Sequence, residues 1–345
     1  MFSRKSTGPV IKTQHLRLHW DTEDPFVFAS HHADDYPKGN AQQAPPLHEI
    51  AGRDLGRDYK KVFGFRMYHG KVVPGFPMHA HWGYETVTVP ELGYIDHFDS
   101  LGNQGRYGFG DVQWVSAGGM YLHDEMYPLA HDDRRNPNDI TQIMINLPLK
   151  DKGSPPEMRM MWSESIPVVG MEDGRGRPYS VKVIAGGFGG ARAPPPNAVS
   201  WAADPGHNVR ILLIKASPGA EVALPAVSPT ANRNLYFVEG GSVVIGGIEY
   251  EASMRLKLRG GEDVTFANGG SDGTYWLLEG EPIGERMSSF GPVILGSDKE
   301  VRAAMNHIRE NEYGSWPWDL VDKFHPKGTG RFARFSDGRE ESPPL

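Results

Sequence analysis

The chain contains no cysteine in its 345 residues. That excludes a disulfide framework, zinc–thiolate sites, iron–sulfur clusters and any thiol nucleophile, so a bound metal must be held by histidine and carboxylate. Long apolar runs are missing too: nothing is long enough to span a bilayer, and MFSRKSTGPVIKTQ at the N-terminus is basic without the apolar stretch of a signal peptide. A cytoplasmic protein without membrane contact is expected. Blocks of one charge are also lacking, with 36 Lys and Arg against 43 Asp and Glu for a net charge of −7. No basic face offers itself to nucleic acid, which leaves a small-molecule partner as the default.

Against these absences stands the stretch from Met78 to Tyr127. It opens on His79-Ala80-His81, continues through WGYETVT and closes on LHDEMYP, which carries His123 and Glu125. In an extended strand, side chains two apart share a face, so His79 and His81 project together, as do His123 and Glu125. Four metal-binding groups converge if the two strands are neighbours. The sequence between them favours this: Thr86 to Val89 is β-prone, Ser100-Leu101-Gly102-Asn103 is turn chemistry, and Asp111 to Val115 alternates like a half-buried strand. Short antiparallel strands of this kind can close into a small barrel whose mouth holds the metal.

The length suggests two domains. Residues 1–60 are scattered with breakers and read as an N-terminal arm, in which His31-His32 with Asp34 and Asp35 belongs to a solvated loop. Residues 61–150 form the expected metal-binding barrel. His69 and His97 in that span read as structural, and HDDRRNPND after Glu125 as an excursion beside the mouth. Pro148 to Pro156 reads as a linker. Residues 151–296 repeat the strand-and-turn texture with His207 as their one histidine from Met158 to Gly296, so this second barrel lacks a comparable metal site. Residues 297–345 open on the capping-box pattern Ser297-Asp298-Lys299-Glu300. Val301, Ala304, Met305 and Ile308 follow at helical spacing, Gly314 is the expected stop, and a tail from Ser315 reads as loosely structured or packed as an arm.

HAHWGYETVT, FDSLGN, GDVQWVSAGG and LHDEM, continued by QIMINLP, KDKGSPPEM, LEGEPIGE and FGPVI, together resemble the pirin family of the cupin superfamily. The resemblance covers most of the chain from about residue 24. It implies an all-β bicupin, two antiparallel jelly-roll barrels with a C-terminal helix, and one mononuclear metal, usually iron, in the N-terminal barrel. The pirin ligands fall here on His79, His81, His123 and Glu125. Ala80 and Trp82 replace the Pro and Arg of HPHRG, and Met144 replaces the Trp of QLWVNLP, which changes the pocket and leaves the ligand set intact.

The activity this implies is that of a metal-dependent dioxygenase resembling quercetin 2,3-dioxygenase. Fe(II) is the expected ion, with other first-row metals also suited to the donors, and the partners are dioxygen and a small flavonol-like aromatic. Glu125 would then take the proton of the substrate hydroxyl. The alternative is a metal- or redox-sensitive regulator that binds a protein partner without catalysis. Glu85 stands where ordinary cupins place a carboxylate ligand and is the reserve for Glu125, or else orients an imidazole. Phe76, Met78, Trp82 and Met126 are divided evenly between lining an apolar pocket and packing the barrel.

Overall fold

The computed structural model describes residues 8–311 and 313–344, so the reading of MFSRKST and of Leu345 lies outside them. The chain divides into two compact units. One comprises the chain up to Ala29 with Met144–Asn146 and Ser165–Gly284; the other comprises Ser30–Ile143, Leu147–Glu164 and the chain from Glu285.

In the first unit a seven-stranded antiparallel sheet and a four-stranded sheet enclose one apolar core. The order in the larger sheet is Val10–His15, Met254–Leu258, Asn232–Glu239, Gly273–Gly280, Arg210–Ala216, Pro178–Ala185, Val168–Glu172. Alternation is plain where one face meets solvent. In Glu221–Leu224, Val222 and Leu224 enter the core while Glu221 and Ala223 stay outside.

The second unit carries the His-x-His and His-x-Glu motifs. Its strands are labelled β1 (Phe26–Tyr36, in this unit from Ser30), β2 (Gly75–His81), β3 (Tyr84–Leu92), β4 (Tyr94–Asp99), β5 (Gln104–Gly108), β6 (Val112–Ala117), β7 (Tyr121–Met126), β8 (Asn136–Asn146, in this unit to Ile143) and β9 (Glu157–Met161). They form two sheets, one with the order β9-β6-β3-β8-β1 and the other β5-β4-β7-β2. β6 and β7 are buried along their whole length, so alternation shows in them as a change of neighbours and not as exposure. Gln113, expected on a half-exposed face, is 1 % exposed.

The outer face of the β7–β2 pair is covered by the helix Asp298–Asn311, whose Val301, Ala304 and Ile308 pack on Ala80, Leu122, Val293 and Leu295. The residues between and beside the histidines therefore face the helix while the histidines face inward. Ser297 caps the helix: Glu300 N–H donates to Ser297 Oγ, and that hydroxyl donates to Glu300 Oε2 at 2.7 Å, so the Ser and Glu of the expected capping box meet side chain to side chain. The helix ends at Asn311, ahead of Gly314.

Three expectations change. Residues 26–36, read as part of an irregular arm, are an 11-residue strand. The breakers at Asp24-Pro25 and Pro37 bound that strand and do not interrupt it. Asp34, read as solvated, is buried, and it accepts hydrogen bonds from the Tyr68 hydroxyl and the Arg66 guanidinium. The expected linker is tied down, with Lys152 Nζ donating to the carbonyls of Gly83 and Ile294.

The tail is a packed strap. Lys323 N–H donates to Asp124 Oδ2 and His325 N–H to Asp96 Oδ2, the Val321 carbonyl accepts from Met78 N–H, and the Trp318 indole donates to the Asp99 carbonyl. Phe332–Arg334 then pairs with β5. Arg106 anchors the whole arrangement. Fully buried, it grips Asp96 through two nitrogens at 2.6 and 2.7 Å and donates to the carbonyls of His325, Pro326 and Thr329.

Candidate metal centre

β2 and β7 are antiparallel neighbours with His79 directly opposite His123. The register slips between Phe76 and His79: Phe76 faces Glu125 and His79 faces His123, three steps on one strand against two on the other. This bulge re-aims a side chain, and Pro77 suits it because a bulged position donates nothing to the ladder. Met78, next in line, donates its N–H to Val321 of the strap instead.

The result is a convergence of three imidazoles. His123 Nε2 lies 2.8 Å from His81 Nε2 and 3.1 Å from His79 Nε2. Among the described residues, His79, His81 and His123 form the group whose ligand atoms all lie within 4.8 Å of one another. Glu125 stands beside it, Oε2 being 3.7 Å from His123 Nε2 and 3.9 Å from His79 Nε2.

The donor set fits a single ion. Two nitrogens bound at about 2.1 Å are about 3.0 Å apart at right angles and about 3.4 Å apart at the tetrahedral angle, and the observed separations match the former. Proton bookkeeping agrees. His79 Nδ1 faces the Pro77 carbonyl at 3.0 Å, which only accepts, so Nε2 presents a lone pair inward. One proton on His123 Nε2 satisfies one of its two neighbours and not both.

Burial pushes His79 down to about 4, although its side chain keeps 32 % of its exposure, and pushes His81 and His123 well below the ordinary imidazole range. All three are neutral near pH 7, as ligation requires. His81 Nδ1 is held by the Tyr84 hydroxyl, while His123 Nδ1 is buried without a partner.

Glu125 is 2 % exposed, and desolvation raises its carboxyl above the usual range. Gln142 Nε2 donates to both of its oxygens, at 3.0 and 2.9 Å, and Thr88 Oγ1 to one at 3.3 Å. The carboxylate is thus held from the opposite sheet by neutral side chains and aimed at the cluster. Sequence reasoning missed Gln142 and Thr88; the available signal was a polar residue recurring on the inward face of otherwise apolar strands.

Glu85 is fully buried elsewhere, its Oε1 accepting from Trp114 Nε1 at 2.9 Å and Ser116 Oγ at 2.6 Å. His97 adjoins the site without joining the cluster: its ring is 5.3 Å from that of His123, and Nε2 meets the Tyr121 hydroxyl at 3.2 Å. His69 is held by Tyr59 and the Gly56 carbonyl, His31 by Asp139 and His32 by Ser30. Of the four candidate lining residues, Phe76 lies by the cluster, its ring 6.2 Å from that of His79. Met78 and Trp82 pack with the helix cluster, and Met126 packs with Ala44 and Val73.

An all-β chain with two cupin-type units, one carrying a three-histidine cluster, is a bicupin with a candidate mononuclear metal centre. It belongs to the pirin family: the Pirin model matches residues 11–145 and the Pirin C-terminal cupin domain model matches residues 211–314. A Pseudomonas aeruginosa relative, provisionally named quercetin 2,3-dioxygenase, is 31% identical over 69% of this chain and 80% of its own. Pirin-1 of Arabidopsis thaliana is 30% identical over 70% of this chain and 78% of its own. Among solved structures, a quercetin 2,3-dioxygenase from Acinetobacter baumannii superposes with a TM-score of 0.69 at 20% identity, covering 90% of this chain and 99% of that one. No helix among the described residues is long and apolar enough to cross a membrane.

Proposed function

We propose that the chain is a cytoplasmic, pirin-like dioxygenase with one metal ion held by His79, His81, His123 and Glu125, acting on a flavonol-like aromatic in the manner of quercetin 2,3-dioxygenase. The observation that carries this reading is the convergence of three neutral imidazole nitrogens on one point beside a carboxylate held by the neutral side chains of Gln142 and Thr88. The names of the bacterial relatives support the substrate class.

Held by these residues, Fe(II) or another redox-active first-row divalent ion would supply the redox chemistry that dioxygen requires. The chain's own residues do the rest. Glu125, raised by burial and steadied by Gln142, takes the substrate hydroxyl proton at Oε2, the oxygen nearest the cluster. Tyr84 fixes the His81 ring. Phe76, packed edge-on against Tyr127, offers an apolar face beside His79, the partly open member of the cluster. Buried Tyr107 and Tyr121 keep water from the inner wall.

Iron-loaded protein mixed with quercetin under air is expected to bleach the flavonol band and consume oxygen, and His123→Ala to do neither. Equal rates in the two proteins overturn the catalytic assignment. Iron retained by the wild type without oxygen uptake favours the alternative, a metal-dependent regulator that presents a surface to a protein partner. The burial of His81 and His123 behind His79 suits that role as well.

A further inference from the structure

Beside the face that it packs on β2 and β7, the helix Asp298–Asn311 turns a second stripe to a cleft of about 620 Å³ in the second unit. Glu300, Ala303, Ala304 and His307, at the i, i+3, i+4 and i+7 spacing of one helix face, form one wall. Leu149 and Lys152 form another, and none of the four proposed metal ligands lines the cleft. Its volume suits a single small organic ligand.

The space comes from small residues. Gly296 lies between Leu149 and Glu300, and a methyl group added there would stand 2.7 Å from Leu149 Cδ2 and 3.2 Å from Glu300 Oε2. Ala303 and Ala304 bring nothing larger than a methyl from the helix.

The lining combines apolar surface with one uncommitted charge, and a ligand can reach both. Trp82 is half-buried and meets the His307 ring at 5.6 Å and 81°, and its indole N–H has no hydrogen-bond partner among the described residues. Leu149 is 45 % exposed and adds aliphatic surface. Lys152 is spent, its Nζ donating to the carbonyls of Gly83 and Ile294. Glu300 is exposed and makes no ion pair among the described residues. The Ser297 hydroxyl occupies its Oε2, which leaves Oε1 to meet a ligand donor.

We propose that this cleft is a second small-molecule site, separate from the histidine cluster, for an arylalkylamine. The ring lies against Trp82 and Leu149, and the ammonium group reaches Glu300. An anion of the same shape meets the Glu300 charge and finds Lys152 already committed.

The test is titration of 2-phenylethylamine into ¹⁵N-labelled protein, read by NMR on the Trp82 indole N–H signal, which Trp82→Phe identifies among the eight tryptophans. The comparators are 2-phenylethanol, uncharged, and 3-phenylpropionate, negative. The amine is expected to move the signal saturably, the alcohol to bind about fivefold more weakly and the acid more weakly still. Glu300→Gln, which keeps a capping residue opposite Ser297, lowers the amine to the affinity of the alcohol and leaves the alcohol unchanged. Gly296→Ala, whose methyl displaces only the ends of flexible side chains, weakens both. His79→Ala binds the amine as the wild type does. The proposal is overturned by absence of a saturable shift at millimolar amine, by equal binding of amine and acid, by an amine affinity that Glu300→Gln or Gly296→Ala leaves intact, or by its loss in His79→Ala.

Discussion

Acidification acts on the strap through His325. This residue is 7 % exposed, with its ring stacked on Phe98 at 4.6 Å and meeting Phe332 edge to face at 4.9 Å. Burial first, and the Arg106 charge second, push the imidazole from 6.5 down to about 4. Between those values the unfolded chain binds a proton that the folded chain refuses. The stability from this group is therefore complete above pH 6.5 and is lost progressively as pH falls toward 4. At pH 5 the loss relative to pH 7 comes to about 2 kcal/mol.

His325→Phe keeps a planar ring between Phe98 and Phe332 and removes the titration. Urea unfolding followed by circular dichroism at pH 7 and pH 5 gives the comparison. The wild type is expected to lose about 2 kcal/mol more than the variant over that interval. The depressed histidines of the cluster titrate in both proteins, so the difference isolates residue 325. Equal losses in the two proteins refute the argument, because they would mean that His325 accepts its proton without leaving the folded state.

Three further outcomes are expected. Glu125→Gln lowers metal content after purification, measured by elemental analysis, while Glu85→Gln leaves it unchanged because Glu85 serves Trp114 and Ser116; the reverse result reassigns the ligand. Arg106→Met strands the buried Asp96 carboxylate and costs about 3–5 kcal/mol, read in calorimetric melting. A loss below about 1 kcal/mol, the range of exposed pairs, contradicts the burial seen here. Phe63→Asn raises the melting temperature by an amount worth about 1 kcal/mol, since Phe63 and Gly64 both have positive φ in a tight turn that favours Asn-Gly and the Phe63 ring is 69 % exposed. An unchanged or lower melting temperature shows that this ring does packing that its exposure hides.

The inward direction of His79, His81, His123 and Glu125 was legible because residues two apart on a strand share a face whatever the fold. Pairing of the two motif strands was legible from the turns between them. The slip at Pro77 was not, since one extra residue leaves no periodic trace over so short a strand. Residues 26–36 escaped because HHADDY looks solvated until Tyr68 and Arg66, more than thirty positions on, supply partners for Asp34. The same holds for the strap, whose anchors on Asp96, Asp99 and Asp124 are backbone donors and one indole. Such donors are invisible in the tail's own composition. Glu85 illustrates the opposite error, in which a position familiar from other cupins drew attention that the indole of Trp114 explains.

Phe332–Arg334 occupies the open flank of β5, and Glu340–Glu341 closes that flank in turn with two acidic residues. Without the last stretch of chain, β5 would present unpaired amide and carbonyl groups to solution, a template for cross-strand association between molecules. Shortening the C-terminus therefore threatens solubility before it threatens the histidines, and clumping of a truncated protein would say little about its chemistry.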